Sequence, residues 1–134
     1  MARGGLDFEG IGERFVTHEA DAGLKAVVLV SGVAYVEGKA VVVTGNGIVG
    51  FGAAGNPLYG KIEKYEDDDY LSVQVEGYAT FPGVSSSMPT AGTNYVPVVN
   101  GSGAVMASAG ATGKGMIVSV DATASVNTVV VLIG

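Results

Sequence analysis

The sequence predicts an all-β fold, a small β-sandwich or open β-barrel of short strands behind a flexible N-terminal arm. Three observations lead there. Short valine-rich runs recur along the chain, each closed by glycine or another turn residue. The 134 residues include 22 glycines, well above the usual share of about 7%, and they fall between the apolar runs as turn residues do. No window sustains the 3.6-residue period of an amphipathic helix. The length suits one domain with one core. Hydrophobic residues make up 48% of the chain, too many for wholesale disorder. They are mostly valine and alanine, with no tryptophan, which implies a thin core of small side chains.

Residues 1–25 differ in texture from the rest. They are rich in charge, carry glycine at 4, 5, 10 and 12, and hold few apolar side chains. Glycine opposes a helix there, so this stretch reads as an arm with a short strand at residues 14–17. Residues 26–134 read as the β-rich domain. "KAVVLVSG", "VAYVEG", "AVVVTG" and "GIVGF" are its first short strands. "PLYGKIEKYEDDDYLSVQVEGYATF" holds two longer alternating strands. In the second, Leu71, Val73 and Val75 face one way and Ser72, Gln74 and Glu76 the other. "PGVSSSMPTAGTN" is a loop with at most one helical turn, near residues 85–91. "YVPVVNGSGAVMASA", "KGMIVSV" and "VNTVVVLIG" resume the strands. Almost no helix is expected.

One phrase occurs twice. "VVTGNGIV" at residues 42–49 returns as "VVNGSGAV" at residues 98–105. The shared unit is a strand, a Gly-x-Gly turn and a second strand. Its glycines supply the positive φ values that tight hairpins need. The first copy extends to "GNGIVG", a G-x-G-x-x-G pattern. A dinucleotide loop needs a helix directly after it, and "FGAAGNP" cannot make one. The turn reading stands.

Charge sets further bounds. The net charge of −6 argues against nucleic-acid binding, which needs a basic face. No apolar run approaches the roughly 20 residues of a membrane span, and "MARGGLDFEG" is not a signal peptide. Cysteine is absent and His18 is the single histidine, which excludes thiolate and histidine-rich metal sites in one subunit. Beyond Glu76 only Lys114 and Asp121 are charged. A free surface normally mixes charges, and interface cores are depleted in them. The second half is therefore expected to be covered by another subunit or a partner.

Catalytic and ligand-binding constellations are weak. His18 lies in the arm, and the serines at 85–87 lack the setting of a nucleophile elbow. No enzymatic activity and no cofactor are expected. "EDDD" at residues 66–69 offers carboxylates to a hard cation. Without an EF-hand spacing it reads as a turn between strands. Tyr59, Tyr65, Tyr70, Tyr78 and Tyr95 would suit a sugar-stacking platform, or simply cross-strand pairs.

The blocks "KAVVLVSGVAYVEGKAVVVTGNGIVGFGAAGNPLYGKIEKYEDDDYLSVQVEGYATF", "GTNYVPVVNGSGAVMASAG" and "KGMIVSVDATASVNTVVVLIG" resemble the small capsid decoration, or cement, proteins of tailed double-stranded DNA bacteriophages. The resemblance covers residues 26–134 in the order and spacing of blocks. It implies a homotrimer on the outer capsid surface of the virion, made in the host cytoplasm, with the major capsid protein as partner. There it would bridge capsomers and stabilise the expanded head. Phe8, Ile11, Phe15 and Val16 are then expected to contact the capsid. Tyr95, Val96, Val98 and Met106, in the uncharged half, are expected at the oligomer interface. A β-rich module that binds glycans or anchors a head fibre is the alternative.

Overall fold

The structure is a computed structural model that describes residues 13–66, 68–84, 86, 88–89, 91–92, 96–108, 115–123 and 126–133. The chain is mostly β, as expected. Its elements run β1 (Arg14–Ala20), α1 (Ala22–Ser31), α2 (Val33–Val36), β2 (Ala40–Gly45), β3 (Ile48–Gly50), β4 (Gly60–Tyr65), β5 (Tyr70–Pro82), β6 (Val96–Val99), β7 (Val105–Ser108), β8 (Met116–Thr123) and β9 (Val126–Ile133). Seven strands form one sheet in the order β1-β3-β2-β4-β5-β9-β8, and a further β1–β5 pairing bends its first five strands into a closed barrel. Hairpin β6–β7 forms a separate two-stranded sheet.

Strand β5 joins the two parts. Its first half pairs with β1 and β4 inside the barrel, through contacts such as Val73 with Val16 and Ile62. Its second half pairs with β9, from Gly77 opposite Ile133 to Pro82 opposite Thr128. Gly77 marks the change of partner with φ 94°, a conformation that only glycine adopts without strain. The Gln74 side chain crosses the bend. Its Nε2 donates to the carbonyls of Glu76 and Tyr78, both at 3.0 Å. Period-2 reasoning puts Gln74 on the outward face, yet it is 1% exposed. The reason is that its amide donates to two backbone carbonyls at the bend, which satisfies the buried polar group.

Two apolar clusters result. The barrel core holds Ala20, Leu24, Val36, Val41, Val49, Ile62, Tyr65, Leu71, Val73 and Val75. The second core lies between the β5–β9–β8 sheet and hairpin β6–β7. It includes Ala79, Phe81, Val99, Val105, Ile117, Val129 and Val131. Strand β2 serves both, with Val41 turned into the barrel and Ala40 and Val42 into the second core.

The repeated phrase folds as two hairpins of the same register. Val43 faces Val49 in β2–β3, and Val99 faces Val105 in β6–β7. Gly47, Gly101 and Gly103 take φ of 74°, 92° and 95°, the positive values that the turn reading requires.

Two expectations are corrected. "KAVVLVSG" and "VAYVEG" are helices α1 and α2 rather than strands. The Asp21 Oδ1 accepts the Leu24 N–H at 2.8 Å as an N-cap. Gly32, at φ 92°, stops α1, and its N–H donates to the Val28 carbonyl at 2.8 Å. Valines at 27, 28 and 30 favour strand locally. However, Leu24, Val27 and Val28 recur at i, i+3 and i+4 and pack against the barrel core together with Val33 and Val36, so tertiary burial overrides propensity. The second correction concerns the arm, which was expected to span residues 1–25. Within it, β1 runs to Ala20 and closes the barrel, and the 25/26 boundary falls inside α1. His18, expected in a loose arm, sits in that strand. Its Nε2 bonds the Tyr59 hydroxyl at 2.8 Å, and its Nδ1 lies 3.2 Å from the Gly47 carbonyl. Of the stretch where a helical turn was expected, residues 85, 87 and 90 lie outside the described residues, and 86, 88, 89 and 91 are not helical.

Candidate functional site

Eight large apolar side chains are exposed among the described residues: Phe15, Val16, Leu29, Val30, Tyr35, Val43, Tyr70 and Met116. Five of them fall within residues 15–35. That concentration defines two adjoining candidates, the outer edge of β1 and the outer face of α1 and α2.

The β1 edge follows from the pairing pattern. Strand β3 is only three residues long and meets β1 at Glu19 and Ala20 alone. The Glu19 N–H donates to the Gly47 carbonyl on the β3 side at 3.2 Å. The Ala20 N–H donates to the Asp69 carbonyl on the β5 side at 3.0 Å. Backbone groups alternate along a strand, so Phe15 and Thr17 share the orientation of Glu19. No strand among the described residues pairs with them on that side. Among the described residues the edge leaves the outward N–H and C=O groups of Phe15 and Thr17 without a strand partner, next to the exposed Phe15 and Val16, which is a template for an added strand. Arg14 lies 3.4 Å from Glu76 across the β1–β5 pair, in an exposed ion pair.

The helical surface is more apolar still. Leu29 and Val30 are each 87% exposed and Tyr35 is 51% exposed, with Ala22, Ala26 and Ala34 exposed beside them. A helix that is apolar on every side is ordinarily covered. The charges flanking it are engaged within the chain. Lys25 Nζ lies 3.5 Å from Glu19 Oε2, Lys39 Nζ lies 4.7 Å from the centre of the Tyr35 ring, and Glu37 Oε2 accepts the Tyr65 N–H at 3.0 Å. A cleft of about 310 Å³ opens beside α1, lined by Asp21, Leu24, Val27 and Phe51 among others. Asp21 is its charged wall, and both its oxygens are taken, by the Leu24 N–H and by the Thr44 hydroxyl at 2.9 Å.

The residues singled out from sequence divide as follows. Phe15 and Val16 are exposed on β1, while Phe8 and Ile11 lie outside the described residues. Of the four interface candidates, Tyr95 lies outside the described residues, and Val96 and Met106 are half-buried. Val98 is 1% exposed. That last expectation is corrected: Val98 belongs to the interior of the chain and offers nothing to a neighbour. Sequence reasoning missed Leu29, Val30 and Tyr35 because it placed them on strands. The available signal was the Asp21 cap ahead of Leu24, Val27 and Val28 at helical spacing.

Of the tyrosines proposed for a sugar platform, Tyr95 lies outside the described residues, Tyr70 is exposed, and Tyr65 and Tyr59 turn inward. Tyr65 is buried and donates its hydroxyl to Asp69 Oδ1 at 2.8 Å, and Tyr59 packs against the barrel core. Burial first, and then Asp69, push the Tyr65 phenol well above its ordinary pKa of 10.0. Glu66, Asp68 and Asp69 build the β4–β5 turn. The Asp68 carboxylate accepts the Tyr70 N–H at 3.3 Å, and Asp69 takes φ 66°. Asp67 lies outside the described residues, and no group of three metal-ligating side chains occurs among those described. Among the described residues no helix is long and apolar enough to cross a membrane. Set against protein-family models, curated proteins and solved structures, the chain matches none.

Proposed function

We propose that this is a non-enzymatic structural protein that binds the outside of an expanded phage capsid as a homo-oligomer and stabilises it by bridging capsomers. The observation that carries the reading is the open β1 edge, where the backbone of Phe15 and Thr17 adjoins exposed Phe15 and Val16. An extended segment of a capsid subunit can add to such an edge by main-chain hydrogen bonds, with the two apolar side chains giving contact area. Binding the expanded lattice in preference to the loosened one stabilises it by mass action. The block order that resembles capsid decoration proteins and the scarcity of charge beyond Glu76 support the same reading.

The test is co-sedimentation with expanded heads that lack their decoration protein. The chain should pellet with the heads and raise the temperature at which they burst. Thr17→Pro removes an N–H that faces away from β5, which an edge strand tolerates, so the variant should keep its fold and lose the heads. Failure of the natural chain to co-sediment defeats the reading.

A further inference from the structure

We infer that the outer face of α1 and α2 is a self-association surface, where α1 packs antiparallel against α1 of a second copy about a twofold axis. The inference deepens the homo-oligomer part of the proposed function and places the contact on residues that the sequence did not mark.

The face selects its occupant by charge. Each copy carries a net charge of −6, so two copies repel wherever ionised surfaces meet. Ala22, Ala26, Leu29, Val30, Ala34 and Tyr35 form a strip without an ionised group. The charges at its border, Lys25, Glu37 and Lys39, are held by partners in their own chain. A charged foreign partner finds no group to read there. A second copy brings an equally neutral strip.

The spacing also fits a copy of itself. Ala22, Ala26 and Leu29 are separated by four and three residues, and Val30 is adjacent, so all four lie on one side of the helix. Small residues occupy the first half of that side and large ones the second. An antiparallel pair centred on Ala26 places Ala22 of one copy against Val30 of the other, and Gly23 against Leu29. Large side chains then meet gaps left by small ones, and a twofold contact satisfies both copies with the same surface. The ten residues of α1 span about 15 Å, so each helix covers its counterpart from end to end. A threefold contact cannot produce this pairing, because it brings non-equivalent surfaces together. The inferred unit is therefore a dimer, whereas the decoration-protein resemblance implies a trimer.

The natural chain contains no cysteine, which makes cross-linking clean. Ala26→Cys places one thiol on the twofold axis and should form a disulfide-linked dimer under mild oxidation, within the reach that a disulfide requires. Val43→Cys, exposed on β2 and not one of the strip residues, is the control and should cross-link far more slowly. Sedimentation equilibrium of the natural chain should give twice the 13.4 kDa mass of one chain. Leu29→Lys changes a side chain that is 87% exposed among the described residues, so it should keep the circular dichroism spectrum and sediment as a monomer. A monomer at every concentration, a trimer mass, or equal cross-linking of the two cysteine variants overturns the inference. Sedimentation is read without capsids, so its outcome is independent of the co-sedimentation test.

Discussion

The two hairpin phrases begin alike and end differently. In the first, β2–β3 is drawn into a closed barrel because β1 pairs with β3 on one side and β5 on the other. In the second, β6–β7 gains no third strand among the described residues, only isolated bridges from Pro57 to Val98 and from Gly83 to Val105, and stays a separate two-stranded sheet, packed through Val99 and Val105 onto the second core. The fastenings differ as well. The barrel is tied by polar side chains: Asp21 to Leu24 and Thr44, His18 to Tyr59, Tyr65 to Asp69, and Gln74 across the bend. The second part relies on apolar packing, with Asn100 capping its turn and two buried hydroxyls, Ser119 Oγ and Thr128 Oγ1, left without partners. A local sequence phrase thus fixes a hairpin. What lies beside the hairpin decides whether it becomes a barrel wall.

The comparison breaks most directly at Phe81, a large and fully buried side chain of the second core. Phe81→Ala should cost about 3–5 kcal/mol in urea unfolding. Strands β2 and β5 run through both cores, so the loss should appear in one transition. Two separated transitions would show that the parts are independent.

Next in size is Gln74→Leu, which removes two buried side-chain hydrogen bonds at the bend and should cost about 1–3 kcal/mol. Its counterpart in the second part is Ser119→Ala. That hydroxyl has no partner, so its removal should be neutral or stabilising. Opposite signs in the same denaturation assay would sharpen the contrast. Asp21→Ala removes the α1 cap and the Thr44 bond. A loss of about 0.5–2 kcal/mol, with reduced helical circular dichroism, is expected in the same single transition.

Alkaline pH should destabilise the fold through a barrel side chain. The folded pKa of Tyr65 is raised by burial and by Asp69, so its neutral form is the one that folds. The contribution is therefore complete below the unfolded value of 10.0 and is lost as pH rises above it. Tyr65→Phe should flatten the melting temperature above pH 10.0, where the natural chain declines. The smallest effect belongs to Arg14→Ala. Its ion pair with Glu76 is exposed on both sides and should be worth about 0–1 kcal/mol. A larger loss would mean that β1 closes the barrel by charge rather than by its backbone.

The sequence by itself determined the local structure. Alternation placed Leu71, Val73 and Val75 in a core, and Gly47, Gly101 and Gly103 marked the turns, because strand period and positive φ are properties of neighbouring residues. Of the candidate surface it gave Phe15 and Val16. The tertiary structure decided the rest. Valines 27, 28 and 30 became helical because the barrel end needed a cap and Asp21 could start one. Gln74 turned inward because the change of strand partner at Gly77 brings the Glu76 and Tyr78 carbonyls within reach of its amide, and Val98 is buried where its strand bridges Pro57. The helix, the bend and the bridge all depend on elements far apart in the chain, which no local pattern records.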